Sequence, residues 1–151
     1  MKCHICSYPN EQASFCALCG TDLANPNTET KHLESIHGAL YSTVEKTMVA
    51  GWDAFIYLTN KRLIIVPAKL KGSGLDGMLA AAIYNKMTSK AGVISIPFEH
   101  IKAVRDGKMG LLFKAIVVDT TDGEVVKIKV SKRDEWKAAL ASATGQAYNI
   151  I

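Results

Sequence analysis

Residues 54–67 read AFIYLTNKRLIIVP. Two runs rich in β-branched and aromatic residues, 55–58 and 63–66, flank Thr59-Asn60-Lys61-Arg62, and this pattern predicts a β-hairpin. Asn60 suits the left-handed conformation of a tight turn, and Lys61 and Arg62 are expected to hold the tip in water. Most of the remaining chain reads as further strands and a closing helix packed against this hairpin.

Upstream, residues 23–30 (LANPNTET) carry turn chemistry and no apolar period, so they read as a linker. Leu33, Ile36, His37 and Leu40 recur at spacings of three and four, which predicts a short helix over 31–40 interrupted at Gly38. Residues 41–49 favour a strand, turned into the hairpin by Ala50-Gly51-Trp52-Asp53. Downstream, 93–98 reads as a strand with Pro97 at an edge or bulge, continued by 100–104 up to a turn at Asp106-Gly107. Residues 111–120 and 124–130 form two strands joined by Thr121-Asp122-Gly123, with Val126, Ile128 and Val130 facing inward and Val125, Lys127 and Lys129 facing water. Ser131 and Asp134 approximate a capping box for a last helix, whose stripe of Trp136, Ala139, Leu140 and Ala143 must cover the sheet. No internal repeat stands out.

The chain has 151 residues, 48% of them apolar, which gives room for one ordinary domain plus a small one. Its apolar runs fall far short of the roughly 20 residues of a membrane-spanning helix. No secretory h-region follows Met1, so a cytoplasmic protein with reduced cysteines is expected. A net charge of +4 comes from basic residues scattered along the chain, and it describes a solvated surface better than a dedicated polyanion site.

All four cysteines lie in two CxxC pairs, Cys3/Cys6 and Cys16/Cys19. Each CxxC turn can aim two thiolates at one ion, and two such turns complete the tetrahedron that zinc prefers. Disulfides are disfavoured in the cytosol, a redox CxxC needs a surrounding βαβ fold, and iron–sulfur spacings differ. One structural Zn2+ held by Cys3, Cys6, Cys16 and Cys19 is therefore expected, with His4 a bystander. The first 22 residues resemble the short zinc ribbons at the N-termini of many bacterial and archaeal proteins, departing at Ser7, where a glycine often follows the first pair. Four protein ligands leave no open position, so catalysis at the metal is not expected.

Gly72-Ser73-Gly74-Leu75-Asp76-Gly77 matches a dinucleotide-binding fingerprint, but the apolar strand stops at Pro67 and an Asp-Gly hairpin follows where βαβ units are needed. It reads as a loop entering a helix. There is no GxSxG or HExxH, and His4, His32, His37 and His100 show no spacing suited to a triad or a metal. The chain is not expected to be an enzyme.

From about His32 to Ala143 the chain resembles the bacterial, GRAM-like members of the pleckstrin-homology (PH) superfold. The residues that carry the likeness are Leu58-Thr59-Asn60-Lys61-Arg62-Leu63-Ile64, Ile96-Pro97-Phe98-Glu99-His100-Ile101, the Asp122-Gly123 hairpin and the helix around Trp136. The resemblance implies a mainly β fold, a barrel of about seven antiparallel strands capped by a C-terminal helix. The expected division is a zinc ribbon over 1–22, a linker over 23–31 and the PH-like domain over 32–151, with a helical insertion at about 75–90. Relatives that bind inositol phosphates use a basic loop between their first two strands; here residues 49–53 hold no lysine or arginine, so that ligand is not expected. The expected function is a non-enzymatic interaction module docking onto a protein, with a membrane surface as a compatible partner. The alternative, a nucleic-acid-associated protein binding through the ribbon, is not favoured, since the ribbon's only basic residue is Lys2, against Glu11 and Asp22. Leu75, Met78, Leu79, Ile83 and Met87 form an apolar stripe expected to serve as a contact surface to a partner or a second copy, unless it packs back on its own barrel. Trp52, read as lying at a loop tip, extends the candidate surface, and together with the fold resemblance it is what favours peripheral lipid binding.

Overall fold

The structure is a computed structural model, and it describes residues 2–11, 14–43, 51–68, 92–110 and 113–145. Its strands are β1 (Lys31–Ser35), β2 (Leu40–Ser42), β3 (Trp52–Thr59), β4 (Arg62–Pro67), β5 (Ile94–Pro97), β6 (Ile101–Met109), β7 (Phe113–Thr120) and β8 (Val125–Lys129). A 3-10 turn, Phe98–His100, links β5 to β6, and one helix, α1 (Arg133–Thr144), closes the described part. All pairings are antiparallel in the order β5-β4-β3-β2-β8-β7-β6, with β1 also on β3. The long β3 joins two sheets. Its first residues pair with β2, while Ile56 to Thr59 pair with β1 on one side and the strand pairs with β4 on the other.

The expected hairpin is present, with Leu58 opposite Leu63. Its runs are continuously apolar because both faces are covered. Ala54, Ile56, Leu58, Leu63, Ile65, Ile94 and Ile96 point into the barrel core with Tyr41, Ile116, Val118, Val126, Ile128, Trp136 and Leu140. On the opposite face of the same strands Tyr57, Ile64, Val66 and the adjacent Val93 pack against the N-terminal cysteine-bearing segment. A strand wet on one face would have alternated instead.

Several local expectations are corrected. Residues 31–35 form a strand, not a helix, because backbone pairing with β3 outweighs a weak helical period. Asp106-Gly107 is no turn but the interior of β6, where Gly107 lies opposite Ala115; the chain reverses after Met109. A β-carbon on Gly107 would sit 2.4 Å from Val117 Cγ2, so that close approach requires glycine. Ser131 and Asp134 form no capping box. Lys132 caps α1 in the left-handed conformation with no side-chain bond. Trp136 and Leu140 do plug the barrel, while Ala143 is exposed. Lys127 is buried, not wet, and donates from Nζ to the Lys108 carbonyl at 3.0 Å. Trp52 and Asp53 begin β3 rather than lying in a loop. The glycine-rich 72–77, the helix of 75–90 and the stripe of Leu75, Met78, Leu79, Ile83 and Met87 lie outside the described residues.

The hairpin tip departs furthest from expectation. Asn60 is not left-handed; Thr59 Oγ1 closes the turn by accepting from the Lys61 and Arg62 amides at 3.0 and 3.1 Å. Asn60 faces residue 30 instead, accepting from the Thr30 amide at Oδ1 and donating its own amide to the Thr30 carbonyl. Arg62 is buried, 9% exposed, with its guanidinium turned toward the cysteine-bearing segment.

Candidate metal centre

The two CxxC turns share one backbone geometry. Cys3, Ile5, Cys6 and Ser7 in the first answer to Cys16, Leu18, Cys19 and Gly20 in the second. In each, the amide two residues after the first cysteine points at its sulfur at 3.4 Å, and the amide four residues on bonds its carbonyl at 2.9 Å. Both chains then pass through a left-handed residue, Ser7 at φ 63° and Gly20 at φ 77°. Isolated bridges Lys2–Pro9 and Phe15–Asp22 close the two loops. The glycine usual after such a pair is thus a conformational requirement, and Ser7 meets it under strain.

All four cysteines are buried and unbridged, and their sulfurs lie within 4.8 Å of one another. Cys3 Sγ is 3.7 Å from Cys19 Sγ, and Cys6 Sγ is 3.6 Å from Cys16 Sγ. A tetrahedral ion with sulfur at about 2.3 Å requires sulfur–sulfur edges of about 3.8 Å. The four cysteines named from the sequence therefore come together at a separation that could hold one metal ion. Hydrogen bonding from the neighbouring thiols, Cys16 first, holds Cys3 far below the ordinary thiol value, and that from Cys19 brings Cys16 down to about 6; the reciprocal bonds push Cys6 and Cys19 up. The four share protons that a bound cation would displace.

A ring of polar groups orients the thiols. Asn10 is buried; its Nδ2 donates to the Tyr8 carbonyl and lies 3.5 Å from Cys16 Sγ, while its Oδ1 accepts from the Ala17 amide at 2.9 Å, tying the two turns together. Thr21 Oγ1 is 3.0 Å from Cys19 Sγ. His4 is exposed and donates from Nε2 to the Glu29 carbonyl at 2.8 Å, and it is not part of the converging cluster.

Sequence reasoning missed Arg62 and Glu29. Arg62 uses every N–H it has: Nε to Glu29 Oε2 at 2.8 Å, Nη1 to the Cys19 carbonyl at 2.7 Å and Ser95 Oγ at 2.9 Å, and Nη2 to Thr21 Oγ1 at 3.0 Å and Glu29 Oε1 at 3.1 Å. Thr59 Oγ1 donates to Glu29 Oε2 at 2.7 Å. Burial pushes the Glu29 carboxyl up, but hydrogen bonds from Arg62 and Thr59 and the Arg62 charge outweigh it, and the net shift is downward. On the other turn Tyr57, fully buried, donates its hydroxyl to the Cys6 carbonyl at 3.3 Å. Each turn thus has the carbonyl of its second cysteine gripped by the barrel. An arginine heading an otherwise apolar strand was the available signal, since a wet tip does not require the residue that best fills a buried bidentate site.

The described residues form a PH-like fold that carries a four-cysteine cluster able to hold a metal ion. The chain is similar to the Vps36 N-terminal PH domain, at 14% identity and a TM-score of 0.54 over 91% of each chain. It is also similar to the C-terminal domain of an unknown protein from Leishmania infantum, at 18% identity and a TM-score of 0.52, covering 82% of this chain and 91% of that one. At such identities the likeness shows the fold alone. No protein-family model and no curated protein sequence matches the chain.

Proposed function

We propose that this protein is a non-enzymatic, zinc-binding interaction module, whose PH-like domain docks onto a protein partner, in the cytoplasm or at a membrane-associated assembly. In this reading residues 1–22 form the zinc-binding module, 23–31 the linker and 32–151 the PH-like domain. The observation that carries the metal assignment is the set of four buried sulfurs with edges of 3.6 and 3.7 Å. Cys3, Cys6, Cys16 and Cys19 would fill all four positions of a tetrahedral zinc, leaving none for substrate, so the ion's role is to hold the two turns together. The partner reading draws on the fold and on Trp52, 52% exposed at the start of β3.

Native mass spectrometry of the full chain tests the metal: one zinc bound with the cysteines ionised is expected, and a metal-free mass with four free thiols overturns it. Affinity capture with wild type and Trp52→Ala, beside flotation with anionic and neutral vesicles, tests the partner. Protein retained by wild type and lost by the variant supports the reading. Flotation with no protein retained replaces it with peripheral lipid binding.

A further inference from the structure

The barrel core and the core beneath the cysteine module lie on opposite faces of the same strands and do not share side chains. Ile5, Tyr8, Leu18 and Leu23 of the module's side meet Tyr57, Ile64, Val66 and Val93 of the barrel's. So few apolar residues give the module no independent core, and its shape must come from the ion that draws the sulfurs together. The ties between module and barrel depend on that same shape. Tyr57 and Arg62 bond the carbonyls of Cys6 and Cys19, each the second cysteine of its turn. Arg62 further joins buried Thr21 of the module, buried Glu29 ahead of β1 and half-buried Ser95 of β5 in one hydrogen-bonded set.

We propose that the cysteine module is a metal-dependent cover over the outer face of β3, β4 and β5, locked by Arg62, so that loss of the ion uncovers that apolar face while the barrel stays folded. The proposal rests on the four-cysteine metal reading. The barrel survives opening because its own core, from Ile56 and Ile65 through Ile116 and Ile128 to Trp136, lies on the far side of the sheet. Uncovering would present Tyr57, Ile64, Val66 and Val93 as one apolar patch, the kind of surface a folded protein keeps covered unless it is used. The device thereby converts the metal occupancy of four cysteines into the exposure of a sheet face.

The test uses the full chain, reduced and zinc-loaded, with loading checked by native mass spectrometry. Hydrogen exchange and anilinonaphthalene sulfonate fluorescence are followed on adding a zinc chelator and then on restoring zinc. Expected are loss of protection over residues 2–24, a reversible rise in dye fluorescence, and unchanged protection in β6, β7 and β8. Arg62→Lys keeps the charge but not the fork, and should weaken zinc binding by about tenfold or more, the size of effect that groups orienting metal ligands have, with protection in β6, β7 and β8 unchanged. Loss of protection across β6 to β8 on chelation would overturn the proposal by making the module integral to the barrel. Unchanged protection and fluorescence would show that the ion is not what closes the cover, and wild-type zinc affinity in Arg62→Lys would show that Arg62 is not the lock. A zinc-free native mass at the outset overturns the metal assignment itself, and the cover with it.

Discussion

Replacing Ser7 with glycine should tighten zinc binding, and replacing Gly20 with alanine should loosen it. Ser7 is exposed at φ 63°, where a residue with a β-carbon is disfavoured by roughly 1–2 kcal/mol. Glycine removes that strain but gives back about 0.5–1 kcal/mol as extra freedom in the unfolded chain, leaving a net gain of about 0.75 kcal/mol at the midpoints. In the proposed metal reading, folding of the module and metal binding are one equilibrium, so the gain reads out as about three- to fourfold in zinc affinity. Gly20 at φ 77° occupies the equivalent place in the second turn, so Gly20→Ala should lose a similar factor. Competition against a chromogenic chelator at fixed pH, under reducing conditions, measures both. The pair controls for general effects, since each change alters one β-substituent at matching sites and the signs are opposite. Equal affinities in all three proteins, or a weaker Ser7→Gly, would refute the argument that backbone strain in the turn is coupled to the ion.

Gly107→Ala should destabilise the barrel by about 1–3 kcal/mol, because the new methyl would stand 2.4 Å from Val117 Cγ2; thermal melting checks it. Trp136→Ala, emptying the buried plug of the barrel end, should cost about 3–5 kcal/mol and lower the melting temperature by roughly 10 °C. The Glu29 carboxyl is held below its ordinary value of 4.5, so its ionised form contributes stability above that pH and loses it as pH falls through the lower folded value. The stability gap between wild type and Glu29→Gln, read by hydrogen exchange of the module, should therefore be flat near neutrality and shrink under acid; a gap that widens below pH 4.5 contradicts the sign.

The elements that were legible from the chain were those set by neighbours in sequence. The hairpin at 59–62, the Asp122-Gly123 reversal, the Trp136–Leu140 stripe and the paired CxxC turns each declare themselves within a few residues, because turn chemistry, side-chain period and thiolate spacing are short-range constraints. The strand at 31–35 was misread because its helical spacing was weak and its backbone partners lie in β3, more than twenty residues away. Asp106-Gly107 misled in a similar way. The dipeptide is a turn signal locally, yet Gly107 is glycine because Val117 lies against it and Asp106 sits where Arg133 and Lys137 reach it at 2.5 and 2.9 Å.

By itself the sequence determined that four thiols would converge and that the larger part of the chain would be an antiparallel β fold closed by a helix. Only the tertiary structure decided that the cysteine module lies on the hairpin's second face, and that Arg62 is a buried clasp instead of a wet tip. The physical reason is that apolar runs such as FIYL and LIIV report that both faces of a strand are covered, but the hydrophobic effect is non-directional and does not say by what. Five donors on one guanidinium likewise demand acceptors, and where they come from, Cys19, Thr21, Glu29 and Ser95, is settled only when the chain has folded back on itself.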